Sequence, residues 1–214
     1  MAELNWLSIQ DAHAQLTSRQ ISSVELTQAC LDRIESANGQ VNALVFVDPE
    51  TAIAQAAEAQ QRYALRQPLG LLDGLPIVVK DNIAVSGWPM TNGLAVQHTS
   101  SADADIVSRL RRQGVVMLGS ANMDEGALAA AGVNPHHGRI MNPDFPGYAS
   151  GGSSSGSAAA VAAGFCCAAL GTDTLGSVRL PAAYCGLVGF KPSHGRLSTT
   201  GIISLLPELD AVGP

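Results

Sequence analysis

Two short stretches of this chain carry hydroxyls in a pattern that supports covalent chemistry. Residues 150–157 (SGGSSSGS) open an Ala-rich apolar run, and residues 171–179 (GTDTLGSVR) close it. Small residues between them allow close packing, so Ser153 from the first stretch and Ser177 from the second can face each other. A serine attacks a carbonyl only when a base takes its proton. The oxyanion that forms then needs donors, such as the successive N–H groups of a turn. Ser177 directly follows a predicted buried strand, where such donors would line the turn. The base on offer is Lys80, which ends the apolar run 74–80 (GLPIVVK). Burial lowers the pKa of an amine, and a neutral amine is a base. In this arrangement Ser153 relays a proton from Ser177 to Lys80. Taken alone, the same glycines and serines also make ordinary tight turns, and a lysine at a strand end most often leaves the core for solvent.

The first loop admits two other chemistries. Gly151 and Gly156 keep the glycine spacing of a phosphate cradle, but Ser157 stands where its lysine belongs and Ala158 where Ser or Thr belongs. The phosphate charge would lack its main partner. Residues 152–156 also match G-x-S-x-G, a nucleophile elbow centred on Ser154, with Asp173 and His194 following in that triad's order. An elbow needs a strand leading into it, and residues 142–150 (NPDFPGYAS) hold two prolines. No metal site is expected. His136 and His137 lie in a predicted long loop over 132–148 without a third ligand, and Cys30, Cys166, Cys167 and Cys185 lack ligand spacing.

An alternating pattern of elements would position these groups. Ser8 with Asp11, and Ser22 with Glu25, mark two helix starts. The second helix carries Val24, Thr27, Leu31 and Ile34 at helical spacing and is predicted to end at Asn38-Gly39. A strand over 41–47 follows, and Asp48-Pro49 then open an Ala-rich helix to residue 65. Strands are predicted over 74–80, 115–118 and 166–171, and helices over 103–113 and 157–163. Strand, helix, strand at this spacing gives a parallel βαβ unit. The absence of alternation in 166–171 suits a sheet covered on both faces. The predicted class is α/β with a mixed, mostly parallel sheet flanked by helices. It is read as one domain over 1–214, a helical scaffold over 1–65 and a catalytic core over 66–214.

Of the 214 residues, 46% are apolar and 14% charged, which supplies a core and excludes a disordered chain. A net charge of −6 leaves no basic face for nucleic acid or an anionic membrane. Arg109, Arg111 and Arg112 form the only dense basic spot, read as a solvated helix face. The opening residues lack the basic start and apolar core of a secretory leader. The longest apolar run, 158–170, is too short and too rich in Ala and Gly to cross a bilayer. Adjacent Cys166 and Cys167 in that run read as buried thiols of a reducing compartment. A cytoplasmic location is expected.

Residues 150–157, 171–182 and 185–192 (CGLVGFKP), together with 74–82 (GLPIVVKDN), occur in an order that resembles the amidase signature family over essentially the whole chain. Residues 122–125 (NMDE) resemble the subfamily containing the A subunit of tRNA-dependent amidotransferases. The resemblance implies a Ser–cis-Ser–Lys triad: Ser177 as nucleophile, Ser153 as the bridge with a cis peptide before it, and Lys80 as base. It implies an oxyanion hole from the backbone N–H groups of Thr174, Leu175, Gly176 and Ser177. Ser154, Asp173 and Arg179 are implied in support, the last two as an ion pair bracing the loop. The implied reaction is hydrolysis of a carboxamide C–N bond in a small-molecule amide, without metal or organic cofactor. Its alternatives are a glutaminase-type A subunit that passes ammonia to a partner, and a family member without activity. A homodimer or amidotransferase partner subunits are the expected assemblies. Leu175 and Ser155 depart from glycines in the family pattern. If the turn needs left-handed backbone at 175, a leucine there is strained by about 1–2 kcal/mol. Family members are much longer than this chain, which therefore reads as an N-terminal part.

Overall fold

The structure, a computed structural model, describes residues 3–214. Its helices start where side chains take up the free N–H groups of a first turn. Ser8 Oγ accepts the Asp11 N–H at 3.1 Å ahead of α1 (Ile9–Ser18). Ser22 and Glu25 form a reciprocal capping box ahead of α2 (Ser23–Val41). Helix α2 does not end at Asn38-Gly39. It runs on to Val41 and stops at Asn42, whose backbone is left-handed with φ 57°. The Asn38 side chain is spent differently: it holds the N–H and the C=O of Leu44 at 2.9 and 3.0 Å, tying the helix to β1 (Leu44–Val47). Asp48 then caps α3 (Pro49–Ala64), with Pro49 in the first helical position.

Strand β2 (Pro76–Lys80) is followed by a short pair, β3 (Pro89–Met90) and β4 (His98–Thr99). Helix α4 (Asp105–Arg112) leads to β5 (Val116–Ala121), and a second short pair, β6 (Val133–Asn134) and β7 (Gly138–Arg139), interrupts the predicted loop. The chain closes with α5 (Ser155–Ala162), β8 (Ala168–Asp173), α6 (Arg179–Tyr184) and β9 (Ala211–Gly213). The main sheet has the order β1-β5-β2-β8-β9. Its three central strands are parallel, and β1 and β9 pair antiparallel at the two edges. The fold is thus α/β with a mixed, mostly parallel sheet flanked by helices.

Side chains of β2 alternate between two apolar layers. Val78, with Val116 and Leu118 of β5, packs under α2, α3 and α5 against Leu31, Ile34, Ala56, Ala159 and Phe165. Ile77, Val79 and Met117 face the other way, onto Val107, Trp88 and Leu170. Both faces are covered, which is why these strands read as unbroken apolar runs. No described helix is long and apolar enough to cross a membrane.

Two boundaries shift for tertiary reasons. Strand β8 reaches Asp173 because Thr172 pairs with Val212 of β9. Helix α5 starts at Ser155, since the Ser155 hydroxyl finds Asp124 at 2.9 Å and the Gly156 N–H finds the Asn122 carbonyl at 2.9 Å. That second contact is possible only for glycine. A Cβ at 156 would lie 2.3 Å from the Ala43 carbonyl oxygen and 2.4 Å from that of Asn122, both of them backbone. Gly156→Ala is therefore expected to destabilise the fold by about 2–3 kcal/mol, read as a lower urea midpoint. An unchanged midpoint would show that α5 can slide away from the sheet.

Candidate active site

Lys80 is the last residue of β2, at the end of the parallel strands where α/β sheets hold their reactive groups. It is completely buried. Its Nζ donates to Ser153 Oγ at 2.8 Å and to Thr172 Oγ1 at 2.9 Å. Among the described residues it has no carboxylate within ion-pair distance. Burial pulls the amine down to about 7, against the opposing pull of Asp124, Asp173 and Asp210. Near neutral pH a substantial fraction of Lys80 is therefore the free amine, whose lone pair can take a proton from a hydroxyl.

The loop before α5 brings Ser153 to this amine. Ser153 is fully buried, and the Gly152–Ser153 peptide is cis. Ser154 stitches the two hydroxyl loops together. Its Oγ donates to the Thr172 carbonyl at 3.2 Å and accepts the Thr172 N–H at 3.3 Å, while its own N–H donates to the Ser177 carbonyl at 3.1 Å. Ser177 lies on the turn after β8 and is half-buried. It lines a cavity of about 410 Å³ with Gly152, Thr174, Leu175, Leu180 and Leu206. The structure thus hydrogen-bonds Lys80 to Ser153 and places Ser177 on the adjoining loop. The Ser177 hydroxyl makes no hydrogen bond among the described residues.

Asp173, buried at the end of β8, organises the Ser177 turn. Its carboxylate accepts the N–H groups of Gly176 (2.8 Å), Val178 (3.1 Å) and Arg179 (3.4 Å) and two bonds from the Arg179 guanidinium, both at 3.0 Å. Lys191 Nζ approaches it at 3.4 Å while donating to the Thr174 carbonyl at 2.6 Å. Burial raises the Asp173 pKa, but the Arg179 side chain and these N–H groups outweigh it and bring it to about 2. The ion pair is mixed, with Asp173 buried and the Arg179 side chain 51% exposed.

Of the proposed oxyanion donors, the Gly176 N–H is therefore turned toward Asp173. The N–H groups of Thr174, Leu175 and Ser177 make no hydrogen bond among the described residues. Leu175 is 79% exposed and is not among the residues with left-handed backbone. The condition under which a leucine there would be strained is not met.

Other sequence features lie elsewhere. His194 Nδ1 meets the Asp210 carbonyl at 3.2 Å, not Ser154, whose hydroxyl is occupied by Thr172. Ser157 Oγ donates to the Leu170 carbonyl at 2.9 Å, as a structural contact between α5 and β8. His136 pairs with Glu125, and His137 meets the Thr91 hydroxyl and the Leu94 carbonyl. Reading the sequence alone missed Thr172, the second partner of Lys80. Strand register carries the signal: Val79 of β2 pairs with Leu170 of β8, so residues near 172 sit beside the end of β2. It also missed Asp210, which accepts the Thr174 and Ser204 hydroxyls and the N–H groups of Leu205 and Leu206.

A family model described as Amidase matches residues 25–214. The A subunit of glutamyl-tRNA(Gln) amidotransferase from Chloroflexus aggregans is 42% identical over 216 residues, which cover 100% of this chain and 44% of that protein. The protein of the same name from Methylobacillus flagellatus is 44% identical, with coverage of 97% and 42%. Among solved structures, native peptide amidase from Stenotrophomonas maltophilia matches with a TM-score of 0.91 at 36% identity, over 96% of this chain and 44% of its own. The chain spans less than half the length of these relatives.

Proposed function

The chain belongs to the amidase family, and from that premise we propose that it carries the Ser177–Ser153–Lys80 machinery of a serine amidohydrolase acting on a small carboxamide. The observation that carries this reading is the fully buried Lys80 amine, hydrogen-bonded to Ser153 Oγ at 2.8 Å. Neutral Lys80 takes the proton of Ser153, and Ser153 takes that of Ser177 as Ser177 Oγ attacks the amide carbon. The oxyanion is received by the turn over 174–177, where the N–H groups of Thr174, Leu175 and Ser177 have no partner among the described residues. The proton returns along the same path to the leaving nitrogen, which departs as amine or ammonia and leaves an acyl-enzyme. Water then repeats the sequence and releases the acid. The chain's own groups carry every proton.

A second reading is favoured by the names of the relatives above: a glutaminase-type protein whose ammonia passes to a partner. Hydrolysis of glutamine that needs a partner would select it, and turnover of simple amides by the chain alone would select the free amidase.

Reaction with a fluorophosphonate probe tests the nucleophile directly. Labelling is expected at Ser177, located by mass spectrometry of the modified peptide, and is expected to vanish in Ser177→Ala. A folded chain that takes up no probe would sink the proposal and leave a family member without activity.

A further inference from the structure

Asp124 takes no step in the proposed reaction, yet it grips the serine loop at three points. It is completely buried. Its N–H donates to the Ser153 carbonyl at 3.3 Å, and its Oδ2 accepts the Ser155 hydroxyl at 2.9 Å. A Cβ added to Gly152 would lie 1.9 Å from that same oxygen, so the carboxylate rests directly on the turn's backbone. From the other side it accepts the N–H groups of Gly132 at 3.3 Å and Val133 at 3.0 Å.

We propose that Asp124 is the positioning residue of the Lys80–Ser153 pair: it clamps the 152–155 turn, and with it Ser153, to the 132–133 segment. Ser155 is the hydroxyl contact of this clamp. The inference deepens the reading of Lys80 as a base and can fail separately from it.

Three carboxylates act on Lys80, those of Asp124, Asp173 and Asp210, each favouring the ammonium against burial. Asp81, next in the chain, turns its carboxylate to Thr91 and Gly93. Asp173 shares its charge with Arg179 and Lys191. Among the described residues Asp124 has no cationic partner, so its charge reaches the amine unbalanced by a neighbouring cation.

The chain has two lysines, Lys80 and Lys191, so lysine labelled with carbon-13 at Cε gives two assignable NMR signals. Lys191, held by the carbonyls of Thr174 and Leu209, serves as internal reference. In Asp124→Asn the Lys80 midpoint is expected to fall by roughly 0.5 unit from its parent position. A folded Asp124→Asn chain whose Lys80 titrates with the parent would overturn the charge argument. Ser155→Ala leaves the charge and removes one arm of the clamp. Amide exchange at Gly132 and Val133, which share the carboxylate but lie far from 155 in sequence, is expected to quicken about fivefold, the equivalent of one neutral hydrogen bond. Unchanged exchange there would overturn the clamp, whether or not Asp124→Asn folds. Neither readout uses turnover, so a chain left unlabelled by the Ser177 probe still decides this inference.

Discussion

Lys80→Met is expected to slow acylation of Ser177 by about 10³-fold and, at pH 7, to make the fold more stable by about 2 kcal/mol. The two effects have one cause. The amine is held at about 7 in the folded chain against 10.5 in the open one. Between those values the unfolded chain binds more protons than the folded one, so the parent gains stability as pH rises. Below pH 7 the cost of burying this cation is present in full, and above 10.5 it is gone. Methionine fills similar space without the charge. It leaves the Ser153 and Thr172 hydroxyls without their shared partner, which offsets part of the gain at about 1 kcal/mol each. Urea denaturation of parent and variant at several pH values reads the difference. The variant's advantage should shrink as pH rises and reverse before 10.5, where only the lost hydrogen bonds remain. A constant gap, or a variant less stable at pH 7, would mean that Lys80 is not held neutral by its surroundings.

The candidate reactive groups stood out in the sequence because they break local rules. A lysine ending an unbroken apolar strand, and hydroxyls packed into glycine turns beside a small-residue run, are costly unless something uses them. Capping was legible for the same local reason, and Ser22 with Glu25 needs no tertiary information. Contacts set by register or by distant packing were not legible. Thr172 meets Lys80 only because β2 and β8 are neighbours in parallel register. Asp124 meets Ser155 across 31 positions of sequence. Helix α2 overran its predicted stop because the Asn38 side chain was claimed by Leu44, leaving Asn42 to take the left-handed position. At the Ser177 turn, the pairing of Asp173 with Arg179 was implied by the family resemblance. The diversion of the Gly176 N–H into the same carboxylate was not, because it depends on how the turn folds back on the strand.

That diversion makes Asp173 the side chain on which the Ser177 turn depends, and Asp173→Ala is expected to cost about 3 kcal/mol together with most labelling of Ser177. The substitution strands the N–H groups of Gly176, Val178 and Arg179 and removes the anion facing Lys191. Arg179 can turn to solvent, since its side chain is already half exposed, so little of the loss comes from that partner. The pH dependence separates this account from simple cavity formation. Because the folded pKa of Asp173 is depressed to about 2, its contribution is complete above the unfolded value near 4 and is lost as pH falls through 2. The parent should therefore converge on the variant as acid is added, within whatever part of that window both remain folded. Arg179→Ala, which leaves the carboxylate and its N–H partners in place, should lose much less stability and keep most labelling. If Arg179→Ala proves as damaging as Asp173→Ala, the turn is held by the ion pair and not by the carboxylate's grip on the backbone.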